Sequence, residues 1–123
     1  MSITEMAQGL VDLCRQNKNI EAIEKYYSED IVSVESVSGP AMPAEMKGLQ
    51  AVKGKNQWWL DNHEVRSAQV NGPYIGEGQF AVEFVYDVTQ KASGKEFHMN
   101  EMALYTVQGG KIVHEHFFYN AGG

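Results

Sequence analysis

The sequence predicts an α+β fold in which about three N-terminal helices pack on one face of a strongly curved antiparallel or mixed β-sheet. Two observations carry that expectation. The first quarter of the chain and residues 49–62 place apolar side chains at helical spacing, whereas from His63 onward the chain alternates every second residue between turn-forming clusters. A sheet curled around helices makes a cone, and a cone has a mouth. With 123 residues, 43% of them hydrophobic, the chain is long enough for one core without staples, so a single domain over 1–123 is expected.

Each element has its own local reason. Ser2 followed three residues later by Glu5 reads as a capping box, and Ile3, Met6, Ala7, Leu10, Leu13 and Cys14 then share one stripe. "QNKN" ends that helix, and Asn19 is expected to cap a second whose buried side is Ile20, Ile23, Tyr26 and Tyr27. "DIVSVESV", 30–37, switches to period two and reads as a strand. "SGPAMPAEMKG", 38–48, has two prolines, two glycines and no period, so it reads as a loop. Its Met42 and Met46 would suit an adaptable apolar lid over the mouth, or the loop is simply mobile. "LQAVKGKNQWWLDN" restores helical spacing, with Leu49, Val52, Asn56 and Trp59 on one stripe and Trp58 left to the rim or surface. The strands follow: "HEVRSAQV" closed by "NGPYIGEG", then "QFAVEFVYDVTQ" with Phe80, Val82, Phe84, Tyr86 and Val88 on one face, then "KASGK" as a turn. "EFHMNEMALYTV" and "KIVHEHFFYN" close the chain as a hairpin across "QGG".

That hairpin contains a His-Glu-His triplet, which is either a metal ligand set or the alternation of a two-faced strand. A three-residue turn at Gln108, Gly109 and Gly110 would pair Val107 with Lys111, Tyr105 with Val113, Ala103 with Glu115 and Glu101 with Phe117. Odd-numbered residues then share a face carrying Phe97, Met99, Glu101, Ala103, Tyr105, Val107, Val113, Glu115, Phe117 and Tyr119, apolar apart from two carboxylates, as pocket walls are. His98, Asn100, Met102, Leu104, Thr106, His114, His116 and Phe118 take the other face. The histidines therefore point away from the pocket, and no metal is expected.

Composition narrows the function classes. A net charge of −6 with eight lysines and two arginines, and no basic stripe, argues against nucleic acid and against anionic membranes. No apolar run is long enough to span a bilayer, and "MSITEMAQGL" lacks a basic region ahead of an apolar stretch, so secretion is not expected. The lone Cys14 fits a reducing compartment, and a cytoplasmic location is expected.

The order of elements, with "IEAIEKYYSEDIVSVES", "GLQAVKGKNQWW" and "EMALYTVQGGKIVHEHFFY", resembles the nuclear transport factor 2-like superfamily and within it the SnoaL-like group, over essentially the whole chain. The resemblance implies a cone-shaped, cystatin-like fold that binds a small apolar or aromatic molecule without a cofactor. It also implies a homodimer through the outer sheet face of His98, Asn100, Met102, Leu104, His114, His116 and Phe118. Glu35 matches the position at which ketosteroid isomerases carry a proton-shuttling aspartate, so it is either a desolvated general base or a solvated strand end. Those isomerases also use a helix tyrosine and a protonated aspartate as oxyanion donors; the aligned residues here are Val11 and Ala103, and neither can donate. Epoxide hydrolases of the superfamily need two aspartates bridged by an arginine, which Arg15 and Arg66 do not offer.

Glu35 and Glu101 are the candidate acid/base pair, as SnoaL-like cyclases use carboxylate chemistry. Tyr27, Trp59, Phe84, Tyr86, Met99, Tyr105, Glu115, Phe117 and Tyr119 are the candidate ligand-binding residues. For Glu115 or Glu101 a satisfied core bond to Tyr105, Tyr119 or a tryptophan is the competing role, and for Glu115 it is the preferred one. Either an enzyme of isomerase or cyclase type or a non-catalytic carrier or dimerisation module fits this set.

Overall fold

In a computed structural model that describes residues 1–38 and 43–120, three helices pack on a six-stranded mixed sheet. The helices are α1 (Ile3–Arg15), α2 (Asn19–Tyr26) and α3 (Leu49–Asn62). The strands are β1 (Tyr27–Val34), β2 (Glu45–Lys47), β3 (His63–Ile75), β4 (Gln79–Gln90), β5 (Glu96–Gln108) and β6 (Lys111–Phe118), in spatial order β2-β1-β6-β5-β4-β3. Among the described residues only the β1–β6 seam is parallel.

The α1 capping box forms, Ser2 accepting from the Glu5 amide while the Glu5 carboxylate receives the Ser2 N–H. Its buried stripe of Met6, Ala7, Leu10, Val11 and Cys14 meets Ala22, Ile23 and Tyr26 of α2 and the inner face of the sheet, where Phe80, Val82, Phe84, Ala103 and Tyr105 are buried. Arg15 pins the end of α1 to β3, its guanidinium donating twice to the Val70 carbonyl, at 2.9 and 3.1 Å. A side chain at Gly9 would put its Cβ 2.0 Å from Tyr26 Oη and 2.9 Å from Tyr26 Cζ. Because Tyr26 is a rigid, buried ring, Gly9→Ala should destabilise by about 1–2 kcal/mol, overpacking outweighing the gain in helix propensity. Urea denaturation checks this, and a variant as stable as the parent would contradict it.

Several sequence expectations shift. Asn19 is the first residue of α2 and not its cap, because Lys18 occupies the cap position without a side-chain bond. β1 begins at Tyr27 and ends at Val34, three residues earlier at each end than the period-two pattern. The expected 38–48 loop contains β2, which pairs Met46 with Ser33 and so covers the β1 edge; the expected lid residue Met42 lies outside the described residues. β3 continues through "NGPYI", its ladder with β4 slipping between Val65 and Ser67 and again between Asn71 and Tyr74 around Gly72–Pro73.

The closing hairpin turns on Gly109 and Gly110 alone, both at positive φ, and not on three residues. The shorter turn moves the register by one residue and a slip between Thr106 and Val107 by another, so Tyr105 pairs with Glu115, Ala103 with Phe117 and Met102 with Phe118, two residues from the register expected above. A shift of two preserves which face a side chain takes. Where the ladder slips between Thr106 and Val107, one residue of β6 is extra, so Ile112 is buried in place of Val113.

Candidate functional site

Between the helices and the concave face of the sheet lies a cavity of about 300 Å³. Tyr27, Glu35, Trp59, Phe84, Tyr86, Met99, Glu101, Tyr105, Phe117 and Tyr119 all line it. Glu115 does not. It lies beneath, 0% exposed, accepting hydrogen bonds from Tyr27 Oη and, at 2.8 Å, from Ser33 Oγ. Its partners are thus Tyr27 and Ser33, not Tyr105, Tyr119 or a tryptophan.

Backbone geometry fixes Glu35 from both sides. It follows the last residue of β1, where Val34 pairs with His116; its amide donates to the Ala44 carbonyl at 2.8 Å. The next residue, Ser36, donates to the Phe117 carbonyl at 2.8 Å and accepts from the Tyr119 amide at 3.1 Å. The carboxylate is therefore held at the cavity wall. Its Oε1 is 3.9 Å from Lys55 Nζ, whereas Oε2 is buried with no hydrogen-bond partner among the described residues.

Lys55 is the residue the sequence reading missed. It follows Val52 by three and precedes Trp59 by four, so it lies on the helix face that carries them; a charged residue on an apolar stripe was the available clue. Nζ donates to Ser33 Oγ at 2.7 Å and stands 5.5 Å from the Phe117 ring centroid. Asn17, Asn19 and Asn56 add polar edges to the lining. Trp58 is turned outward, while Trp59 stacks on His63 at 4.6 Å and lies 6.3 Å from Tyr86.

The electrostatics follow from three carboxylates and one ammonium. Burial raises Glu101 to about 7, with Glu35 and Glu115 adding repulsion and Lys55 opposing. Burial also raises Glu35, against Lys55 and His116. Glu115 is raised by burial, opposed by the Tyr27 bond, Lys55 and Ser33. Burial pushes the Cys14 thiol up to about 12, and Tyr27, Tyr86, Tyr105 and Tyr119 are raised too, each chiefly by desolvation. Cys14 is thus an inert thiol at neutral pH.

On the convex side, His114 and His116 rings stand 6.3 Å apart and His116 stacks on Phe118 at 4.2 Å. Among the described residues no group of three or more His, Cys, Asp or Glu side chains is arranged to hold a metal ion. No helix among them is long and apolar enough to cross a membrane.

A family model of the SnoaL-like domain matches residues 1–119. The chain belongs to the SnoaL-like family. A solved structure from Mesorhizobium loti, described as a candidate SnoaL-like polyketide cyclase with carbohydrate phosphatase in brackets, is 45% identical. That alignment covers 97% of this chain and 100% of the other at a TM-score of 0.91. A nuclear transport factor 2-like protein from Burkholderia thailandensis is 15% identical, covering 98% of this chain and 92% of its own, at a TM-score of 0.80. A cystatin-like-fold protein of unknown function from Xanthomonas campestris is 12% identical, covering 97% and 91%, at a TM-score of 0.76. The last two share the fold alone, and they place this SnoaL-like domain among cystatin-like α+β folds. No curated protein matches the sequence.

Proposed function

We propose that this SnoaL-like domain binds a small apolar or aromatic organic molecule in the cone cavity and turns it over by acid/base chemistry of isomerase or cyclase type, without a cofactor. The observation that carries the reading is the buried, unpartnered Oε2 of Glu35 in an aromatic cavity shared with Glu101. A carboxylate oxygen with no donor of its own is poised to take a proton from a bound molecule. Glu101, raised to about 7, retains enough proton near neutrality to deliver one where negative charge develops. Glu35 then acts as base and Glu101 as acid, while Tyr86, Trp59 and Phe117 orient and dehydrate the ligand.

The Mesorhizobium loti relative is described with two chemistries, and the lining favours the first. A phosphate ester is dianionic near neutrality. Glu35 and Glu101 in the lining, with Glu115 beneath, against one lysine would repel it, whereas a neutral ring compound meets no such penalty. The apolar residues on the convex face, Met102 and Phe118 at 36% and 45% exposure, support a homodimer through that face. The acidic charge and lone buried thiol accord with a cytoplasmic setting.

Mass spectrometry of the denatured protein would identify a co-purifying ligand. With that compound as substrate, Glu35→Gln should lower turnover by about 10²–10⁴-fold while leaving the melting temperature and ligand retention in place. Undiminished turnover would remove Glu35 as base. Ligand retention with no turnover in the parent protein would establish the alternative, a non-catalytic carrier on the same fold.

A further inference from the structure

An ammonium inside an aromatic cavity is costly to desolvate unless paired, so Lys55 needs a reason to be there. Its contacts supply one. Nζ donates to Ser33 Oγ at 2.7 Å, and that hydroxyl in turn donates a hydrogen bond to Glu115 Oε1 at 2.8 Å, so the lysine is seated over a fully buried carboxylate. From that seat Nζ faces Glu35 Oε1 at 3.9 Å, an ion pair beyond hydrogen-bonding distance. A lysine has three donor positions, and Ser33 occupies one.

The charges around the two cavity carboxylates are unequal. Glu35 meets Lys55 from α3 and His116 from β6, with the carboxylates Glu101 from β5 and Glu115 from β6 and the neutral Tyr119 nearby. Glu101 meets the carboxylates Glu35 and Glu115 against the single cation Lys55, with Tyr86, Tyr105 and Tyr119 as neutral neighbours. The two groups share a cavity and both feel Lys55, but the ion pair at 3.9 Å is with Glu35.

We propose that Lys55 is the positioning residue of the site: seated on Ser33 above buried Glu115, it keeps Glu35 ionised and leaves the pair's proton on Glu101. The catalytic consequence rests on the acid/base reading above, because it decides which carboxylate removes a proton and which delivers one. The protonation order itself belongs to the unliganded protein. Lys55 need not touch the reacting atoms to impose it. Its fixed charge acts through Glu35, and Ser33 and Glu115 hold that charge in place.

The test is a pH titration by NMR of the whole protein carrying carboxyl-¹³C glutamate, with Glu35→Gln and Glu101→Gln used to assign the two resonances. In the parent protein the Glu35 signal should titrate at lower pH than that of Glu101. Lys55→Met should move the Glu35 midpoint upward by about one to three units, as loss of a neighbouring opposite charge does, and close or invert the order. Lys55→Arg should restore it, which a merely structural loss would not require. A folded Lys55→Met protein with an unmoved Glu35 midpoint overturns the proposal. If neither variant folds, the parent decides: Glu101 titrating first overturns it, and Glu35 first supports it. A protein that shows the shift yet binds no small molecule would refute the proposed function while leaving the role of Lys55 intact.

Discussion

Glu101→Gln is expected to stabilise the fold by about 3 kcal/mol at pH 8 and to change it little at pH 4. The folded-state pKa stands near 7 against an ordinary 4.5, each unit being worth about 1.4 kcal/mol. The sign follows from proton binding. Below pH 4.5 both folded and unfolded chains hold the proton, and the residue contributes its full stability. As the pH rises toward 7 the unfolded chain releases the proton while the folded one retains it, so stability falls. Above 7 the folded protein carries an ionised carboxylate in a desolvated wall beside Glu35 and Glu115, and the loss is complete. Urea denaturation of both proteins between pH 4 and 8 measures it. Curves that stay parallel across that window would contradict the assignment. The same substitution removes the proposed acid, so stabilisation and loss of turnover should arrive together, as they do where a site is built from destabilising groups.

Glu115→Ala should cost about 3–5 kcal/mol, because it strands what the carboxylate now satisfies. Tyr27 Oη and Ser33 Oγ both donate to it in a wholly buried place, and an orphaned buried donor costs about 1–3 kcal/mol. Lys55 would also lose the charge beneath its Ser33 seat. Glu115→Gln keeps the shape and an acceptor, so it should recover at least half of the loss. Denaturant midpoints of the two variants decide between this and a dispensable carboxylate, for which the alanine variant would lie within about 1 kcal/mol of the parent.

The placement of Glu101 was legible in the sequence, whereas the surroundings of Glu115 were not. Strand alternation is local, so "EFHMNEMALYTV" already put Met99, Glu101 and Tyr105 on one face, and a register error of two residues left that face unchanged. The partners of Glu115 depend on which strand lies beside β6. That neighbour is β1, joined in parallel with Ser33 opposite Glu115, and no local pattern in "DIVSVESV" announces it. Lys55 escaped for a related reason. Its helix stripe was read by its apolar members and Asn56, and a lysine three residues from Val52 takes on meaning only when Glu35 and Ser33 lie across from it. β2 escaped because three residues carry too little period to read.

The parallel seam between β1 and β6 has a consequence for how the protein is made. β6 is the last of these strands to leave the ribosome, and until it does β1 lacks its parallel neighbour, and Tyr27 and Ser33 have no Glu115 to donate to. A nascent chain stalled before residue 111 can wind its helices and pair β3 with β4, but the hollow lacks Phe117 and Tyr119 from its lining and the carboxylate of Glu115 beneath it. Maturation of the pocket is thereby a late event, withheld from every shorter translation product and gated by contacts of high sequence separation, which form slowly.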